Sequence, residues 1–370
     1  MEELDRADRP KGVLPSVATI LYRVFVAIFV PGVAFAVLYV GFRFLRDSSA
    51  PPGVIAVVAI LWGVGGVAML FFFTNFVITQ FGPIWRRRLQ PFLFVGPSMV
   101  ILGWYLVFPT LRSLYLSFFG PKSERFVGLA NYLFVFSDRT MLTAFRNNLL
   151  WLIVGTGGSV LLGLIIALLA ERSRLEKLSK ALIFLPMAIS FVGAGVIWKY
   201  VYAYKPPGDP QIGFINAVVT AFGGEPVAWL TARPWNTLFL IAIFVWMQTG
   251  FAMIVQSAAL KGVPSSIKEA ARIDGASELR VIVSIVVPYI RGTILMVGTT
   301  ILILTLKIWD IVFSMTNGLY GTEVLASQQY KQMFKFLNYG RGSAIAIVLL
   351  VGVTPVMWYN LKQFGKREVF

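Results

Sequence analysis

Long apolar runs constrain this chain more than any other feature. Eight of them follow one another, at residues 24–40, 53–78, 92–115, 149–170, 181–201, 236–260, 285–306 and 343–358, with polar segments between. A hydrocarbon core about 30 Å thick takes roughly 20 apolar residues as a helix. Inside it every backbone N–H and C=O must be satisfied within the span, so such runs become helices. The expected fold is therefore an all-α polytopic membrane protein with about eight transmembrane helices. Charge usage agrees: 14% of the 370 residues are charged, against about 25% in soluble domains.

Local chemistry refines the spans. Pro97 and Pro109 should bend the third one, and Gly155, Gly157, Gly158 and Gly163 suit close helix approach in the fourth. Residues 121–146, 205–235 and 307–342 read as loops. The organisation is a tail at 1–16, a transmembrane hairpin at 17–89, a core at 90–364 with a distinctive loop at 261–288, and a second tail at 365–370.

The formal net charge is +16. In a soluble protein that would suggest nucleic acid. Here the basic residues gather in the short connections, as the positive-inside rule requires. Arg86–Arg88, Arg172–Lys180, Lys261–Arg280 and the carboxyl tail fall on one side, which places both termini in the cytoplasm. Lys331, Lys335 and Arg341 fall on the other side, in a longer loop where the rule weighs less. The expected location is a prokaryotic plasma or inner membrane, with lipid and not nucleic acid as a partner. The chain has no cysteine and no histidine, which removes thiolate chemistry, the commonest general base and the commonest metal ligand. No catalytic or metal site is expected. There is no G-x-x-x-x-G-K-[ST] phosphate loop, so this chain does not hold ATP by that motif.

One connection is patterned unlike the others: LKGVPSSIKEAARIDGASELRVIVSIVVP, residues 260–288. Pro264 stops the preceding helix. Ser266 and Glu269 form an S-x-x-E capping box that would start a short helix. Ile267, Ala270, Ala271 and Asp274 share one face at helical spacing. Gly275 suits the left-handed residue ending that helix, Ser277 can cap the next, and Pro288 bends it. A short protruding helix with a small apolar face and charged rim is suited to a partner's groove.

The pattern Glu269-Ala270-Ala271, three residues, Gly275, nine residues, Ile285, one residue, Val287-Pro288 resembles the EAA signature of binding-protein-dependent ABC importer permeases. Val287 stands where that family usually has Leu. The flanks Val263-Pro264, Ile273–Ala276, Trp309-Asp310 and Met315–Gly318 resemble the carbohydrate-uptake branch, and the first two spans look like the extra hairpin of maltose-permease-like subunits. The likeness covers roughly residues 90–370. It implies a type I permease core of six helices that moves solute by alternating access, an import subunit for a sugar or oligosaccharide of α-glucoside type. Ile267, Glu269, Ala270, Ala271, Asp274, Gly275 and Pro288 would form the coupling element. The implied partners are two cytoplasmic ATPase subunits, which carry ATP and Mg, a second permease subunit in a heterodimer, and an extracytoplasmic solute-binding protein. This chain itself would hold no cofactor and catalyse nothing.

In that family the spans flanking the loop contact substrate. The matching positions are Met247, Gln248 and Phe251 in the sixth span and Leu304, Thr305 and Ile308 in the seventh, with Lys307, Trp309 and Asp310 beside them. Lys307 and Asp310, three apart, can also simply pair. Rival readings are an ion-coupled carrier, which would place ionisable groups mid-membrane, a membrane enzyme built on Glu269, Asp274 and Glu278, and an ABC permease for a non-sugar solute.

Overall fold

A computed structural model describes residues 17–80 and 83–364; the expected tails at 1–16 and 365–370 lie outside them. In chain order the helices are α1 (Val17–Asp47), α2 (Pro52–Thr79), α3 (Ile84–Leu116), α4 (Ala130–Ser137), α5 (Arg139–Ala170), α6 (Glu176–Ala188), α7 (Phe191–Val201), α8 (Phe214–Ala221), α9 (Asn236–Lys261), α10 (Ser265–Ile273), α11 (Glu278–Tyr289), α12 (Arg291–Leu306), α13 (Asp310–Met315), α14 (Leu325–Tyr330) and α15 (Tyr339–Phe364). Among the described residues there is no strand, only an isolated bridge between Phe119 and Phe126. Among the described residues six helices are long and apolar enough to cross a membrane, and the number is eight if each of two bent pairs is one span.

The chain divides into two compact units, Met1–Pro109 and Thr110–Phe370. In the first, α1 and α2 form a hairpin. The Trp62 indole donates to Leu38 O at 2.9 Å, and its ring lies where Gly41 leaves room for no other side chain. Gln90 on α3 reaches Asn75 at 3.1 Å. Only 6% of the apolar window of α1 or α2 is buried, against 56% for α9. α1 and α2 thus leave most of their apolar surface exposed, while α9 is the central helix of the second unit.

Around α9, backbones touch because side chains are missing. Gly163 of α5 lies against Ala252 and the Met253 backbone, and Gly250 of α9 lies against the Ile183 and Phe184 backbone of α6. Gly155 and Gly158 meet Phe244 and Val245. Gly157 departs from the expectation and faces open space. The core built on these contacts holds Trp151, Leu240, Ile243, Phe244, Ile301 and Ile311.

Several expected boundaries are corrected. Pro97 and Pro109, expected to bend the third span, both lie within one continuous helix, α3. A π-turn at Gly103–Val107, closed by Phe108 N donating to Gly103 O, stands directly before Pro109. Proline lacks the N–H and crowds the carbonyl four residues back; one extra residue in the turn relieves both. The same device occurs at Ile282–Val286, before Pro288. The fifth span is not one helix: α6 and α7 meet at 103°, where Ile189 and Ser190 are extended and Ser190 Oγ accepts from Gly193 N. The seventh span is likewise split between α11 and α12 at 71°, with the break at Ile290, two residues past Pro288.

The three expected loops also contain helices. Residues 121–146 hold α4 and the first turns of α5, which Asp138 caps by accepting from Thr140 N and Met141 N at 2.9 and 3.1 Å. Residues 205–235 hold α8, and 307–342 hold α13 and α14. The segment before α14 is tightly folded: Asn317, Gly318, Tyr320 and Gly321 all have positive φ. It is tied down from outside. Asn147 donates to Gly321 O and Glu323 O at 2.7 and 2.8 Å. Arg233 and Asn236 both donate to Tyr320 O, at 2.6 and 2.9 Å.

Candidate functional site

The patterned connection folds as a short helix, a sharp turn and a second helix, but one expected cap is absent. Pro264, with φ −57° and ψ 133°, takes the N-cap position and α10 begins at Ser265. Ser266 is therefore inside the first turn and makes no capping bond, and Glu269 is not drawn back to the helix start. Glu269 stands exposed with no ion pair among the described residues. Ala270 is exposed beside it, with Ile267 at 42% and Ile273 at 86% exposure. Ala271 is on the other side: it packs with Ala276 onto Leu260, Val263, Val281, Val286 and Ile290. The two alanines divide the work, Ala271 seating the helix at home and Ala270 leaving its outer face low.

The turn is fixed at both ends. Gly275 has φ +81°, Ala276 N donates to Ala271 O and Gly275 N to Arg272 O, both at 3.0 Å. These are the paired bonds of a Schellman motif. Ser277 Oγ then accepts from Arg280 N at 3.4 Å, capping α11. An L side chain costs about 1–2 kcal/mol in the left-handed region. Gly275→Val should accordingly speed backbone hydrogen exchange at Gly275-equivalent and Ala276 amides severalfold while leaving α9 protected, as hydrogen-exchange mass spectrometry would read.

Charge clasps hold α10 against the spans. Glu278 of α11 accepts from Arg272 of α10 and from Arg172, just past α5, each at 2.6 Å. The Glu278 carboxylate holds the Arg272 guanidinium above its usual pKa. A second network starts at the neighbouring Glu171, which accepts from Ser257 at 3.2 Å. Ser257 in turn bonds Lys180. Lys180 and Lys261 both pair with Glu176, at 2.5 and 2.6 Å. A cavity of about 240 Å³ lies under α10, lined by Arg172, Lys268, Arg272 and Glu278 among others. Sequence reading missed these clasps. Only the four-residue spacing of Glu176 and Lys180 signalled one of them.

The structure divides the residues expected along a pathway. Met247 and Ile308 are sealed in the central apolar cluster, with Phe251 and Leu304 packed on it. Thr305 is buried; its hydroxyl donates to Ile301 O at 2.8 Å and lies 3.2 Å from that of Thr156 on α5. Gln248 is 6% exposed, and its amide has no hydrogen-bond partner among the described residues. Lys307 and Trp309 line a cavity of about 290 Å³ with Gln329, Tyr330 and Phe334, where Trp309 stacks 4.7 Å from Phe313 and 5.3 Å from Tyr330. Asp310 opens α13. It does not pair with Lys307, because the helix breaks between them: Lys307 ends α12 and Trp309 has φ −145°.

Comparison with known proteins adds to this geometry. Residues 159–361 match the family described as binding-protein-dependent transport system inner membrane component. The osmoprotective compounds uptake permease protein GgtC of Synechocystis sp. is 55% identical over 75% of this chain and 99% of its own length. The alpha-glucoside transport system permease protein AglF of Rhizobium meliloti is 44% identical over 84% of this chain and 98% of its own. Among solved structures, a chain of a bacterial alginate ABC transporter in complex with an alginate pentasaccharide-bound periplasmic protein superposes with a TM-score of 0.59. It is 22% identical and covers 74% of this chain and 93% of its own. That likeness supports the fold.

Proposed function

Since this chain belongs to the family of binding-protein-dependent transport system inner membrane components, and is the multi-pass permease subunit of an ABC importer, we propose that its solute is a sugar or oligosaccharide of α-glucoside type. The sugar-transport relatives motivate the substrate class. Trp309 and Tyr330 offer ring faces against which the C–H face of a sugar can stack, and Lys307 and Gln329 beside them offer hydrogen-bond donors;. Gln248 has the free amide for a hydroxyl.

The observation that carries the mechanism is α10: a short helix with an exposed Ile267–Ala270–Ile273 surface and an unpaired Glu269, clamped between two spans. ATP is hydrolysed on two separate cytoplasmic subunits, and α10 with Gly275 and Asp274 docks on one of them. Closure of the ATPase pair pulls α10, the clasps pass the movement to α5 and α11, and the flexed seventh span with Pro288 alternates access between the two faces. A second permease subunit supplies the other half of the pathway, and a solute-binding protein delivers the sugar outside. Both termini and α10 are then cytoplasmic, and the hairpin at 17–89 is an addition to the core at 90–364. No cofactor is needed on this chain.

Uptake of labelled α-glucosides by cells lacking and regaining this subunit tests the reading. Loss and restoration of ATP-dependent uptake is expected. Uptake that persists without ATP and collapses with the ion gradient contradicts it. Within the same assay, Glu278→Gln should leave the transporter assembled but lower uptake several-fold, because Arg272 and Arg172 lose the carboxylate that joins them.

A further inference from the structure

Helix α8 is immobilised, yet one face of it is left largely exposed. Asn216 is fully buried in its middle and uses its whole amide. Its Nδ2 donates to Ala203 O and Val227 O at 2.9 and 3.0 Å, and its Oδ1 accepts from Val227 N and the Trp229 indole at 2.9 and 3.0 Å. Gly213 sits against the Ala203 backbone with no space for a side chain, and Ile215 packs on the central cluster. The face opposite Asn216 carries Phe214 at 69% exposure and Val218 at 42%, and Phe222, directly after the helix, continues it at 89%. Their four-residue spacing makes one continuous stripe. No charged residue lies between Asp209 and Glu225.

The depth of this helix is fixed by its partners. Ala203 lies two residues past the end of α7. Tyr200, Tyr204 and Trp235, at the adjoining ends of α7 and α9, are all exposed, as tyrosine and tryptophan are where spans leave the bilayer. The stripe therefore stands at the membrane boundary, on the face opposite α10, since α9 spans between them. We propose that α8 is an interfacial anchor, lying in the plane of that leaflet with Phe214, Val218 and Phe222 among the upper acyl chains. An uncharged stripe at the level of the exposed Tyr200, Tyr204 and Trp235 fits lipid better than a soluble protein, whose docking sites carry a polar rim. The anchor has a consequence inside the protein. The segment after α8 leads to Arg233 and Asn236, which hold Tyr320 O, so lipid fixes the height of the tightly folded segment before α14.

The natural absence of cysteine makes the test direct. Val218→Cys, Phe222→Cys and, as an aqueous reference, Asp209→Cys are spin-labelled one at a time in the assembled transporter. The complex is held in nanodiscs of phosphatidylethanolamine and phosphatidylglycerol. Collision rates with oxygen, which partitions into lipid, and with a water-soluble nickel chelate are compared. Both stripe labels should favour oxygen over nickel several-fold relative to Asp209→Cys. Nickel access equal to the reference would place the face in water, and exclusion of both reagents would place a protein over it; either overturns the proposal. Ala217→Cys, a smaller change on the same exposed side, replaces Phe222→Cys if that variant fails to assemble.

Discussion

Lys331→Met should destabilise the second unit by about 3–5 kcal/mol, the usual cost of stripping one partner from a buried ion pair. Lys331 Nζ donates to Glu323 Oε2 at 2.6 Å and to Asn317 O at 2.9 Å, and the two side chains are only 15% and 7% exposed. Glu323 Oε1 is buried without a partner among the described residues, and the carboxylate fills the space over Gly318 that a side chain there would need. Without the lysine this buried carboxylate loses its counter-charge. The tight segment at 316–324 should then open, and with it the seat of Asn147. Thermal unfolding of the purified complex reads the loss. Glu323→Gln combined with Lys331→Met should recover much of it, since the double change removes the stranded charge. A double variant no better than the single one would mean that packing, not charge, holds the segment.

Gly163→Leu should prevent the chain from accumulating as a monodisperse membrane protein. Overpacking a core normally costs about 1–3 kcal/mol because side chains can shift. At Gly163 the obstacle is backbone: even a Cβ would lie 2.9 Å from Met253 N. The α5–α9 contact supports the central cluster, so the helices would have to separate along their length. Gly157→Leu is the control, because that position faces open space; it should elute like the wild type in fluorescence-detected size exclusion. Equal loss from both would show that the fourth span tolerates no large residue for reasons other than close approach.

The spans were legible in the sequence because their signal is additive. Twenty apolar residues in a row have one cheap conformation in lipid, so residues 236–260 anticipated α9 within a residue. The bends were not legible in the same way. Hydropathy runs unbroken through Ile189 and Ser190, while the 103° angle depends on how α7 packs against α13 and α9. In α3 a π-turn accommodates Pro109 locally, which its hydropathy does not signal. The polar connections hid α4, α8 and α14, whose positions depend on distant partners: Leu325 N, opening α14, donates to Asn148 Oδ1 on α5, 177 positions away.

The motif carried more of the site than the spans did. Gly275 and Ser277 were readable because each satisfies a backbone need that few residues meet. The capping box was over-read: Ser266 and Glu269 have the right spacing, but Pro264 already sets the extended entry and shifts the helix start. That shift leaves Glu269 exposed, with no ion pair among the described residues. Glu278, Arg172 and Arg272 were invisible as a group since 106 positions separate Arg172 from Glu278.

The central claim is that α10 is the docking surface for a separate ATPase. Co-purification of that ATPase with the wild-type chain and with Glu269→Lys tests it most directly. The substitution reverses one exposed charge on α10 and touches no span, and intact size exclusion of the membrane chain verifies the fold. The account predicts that the wild type retains the ATPase and Glu269→Lys loses most of it. Equal recovery of the ATPase with both chains would contradict the assignment of Glu269 to the contact.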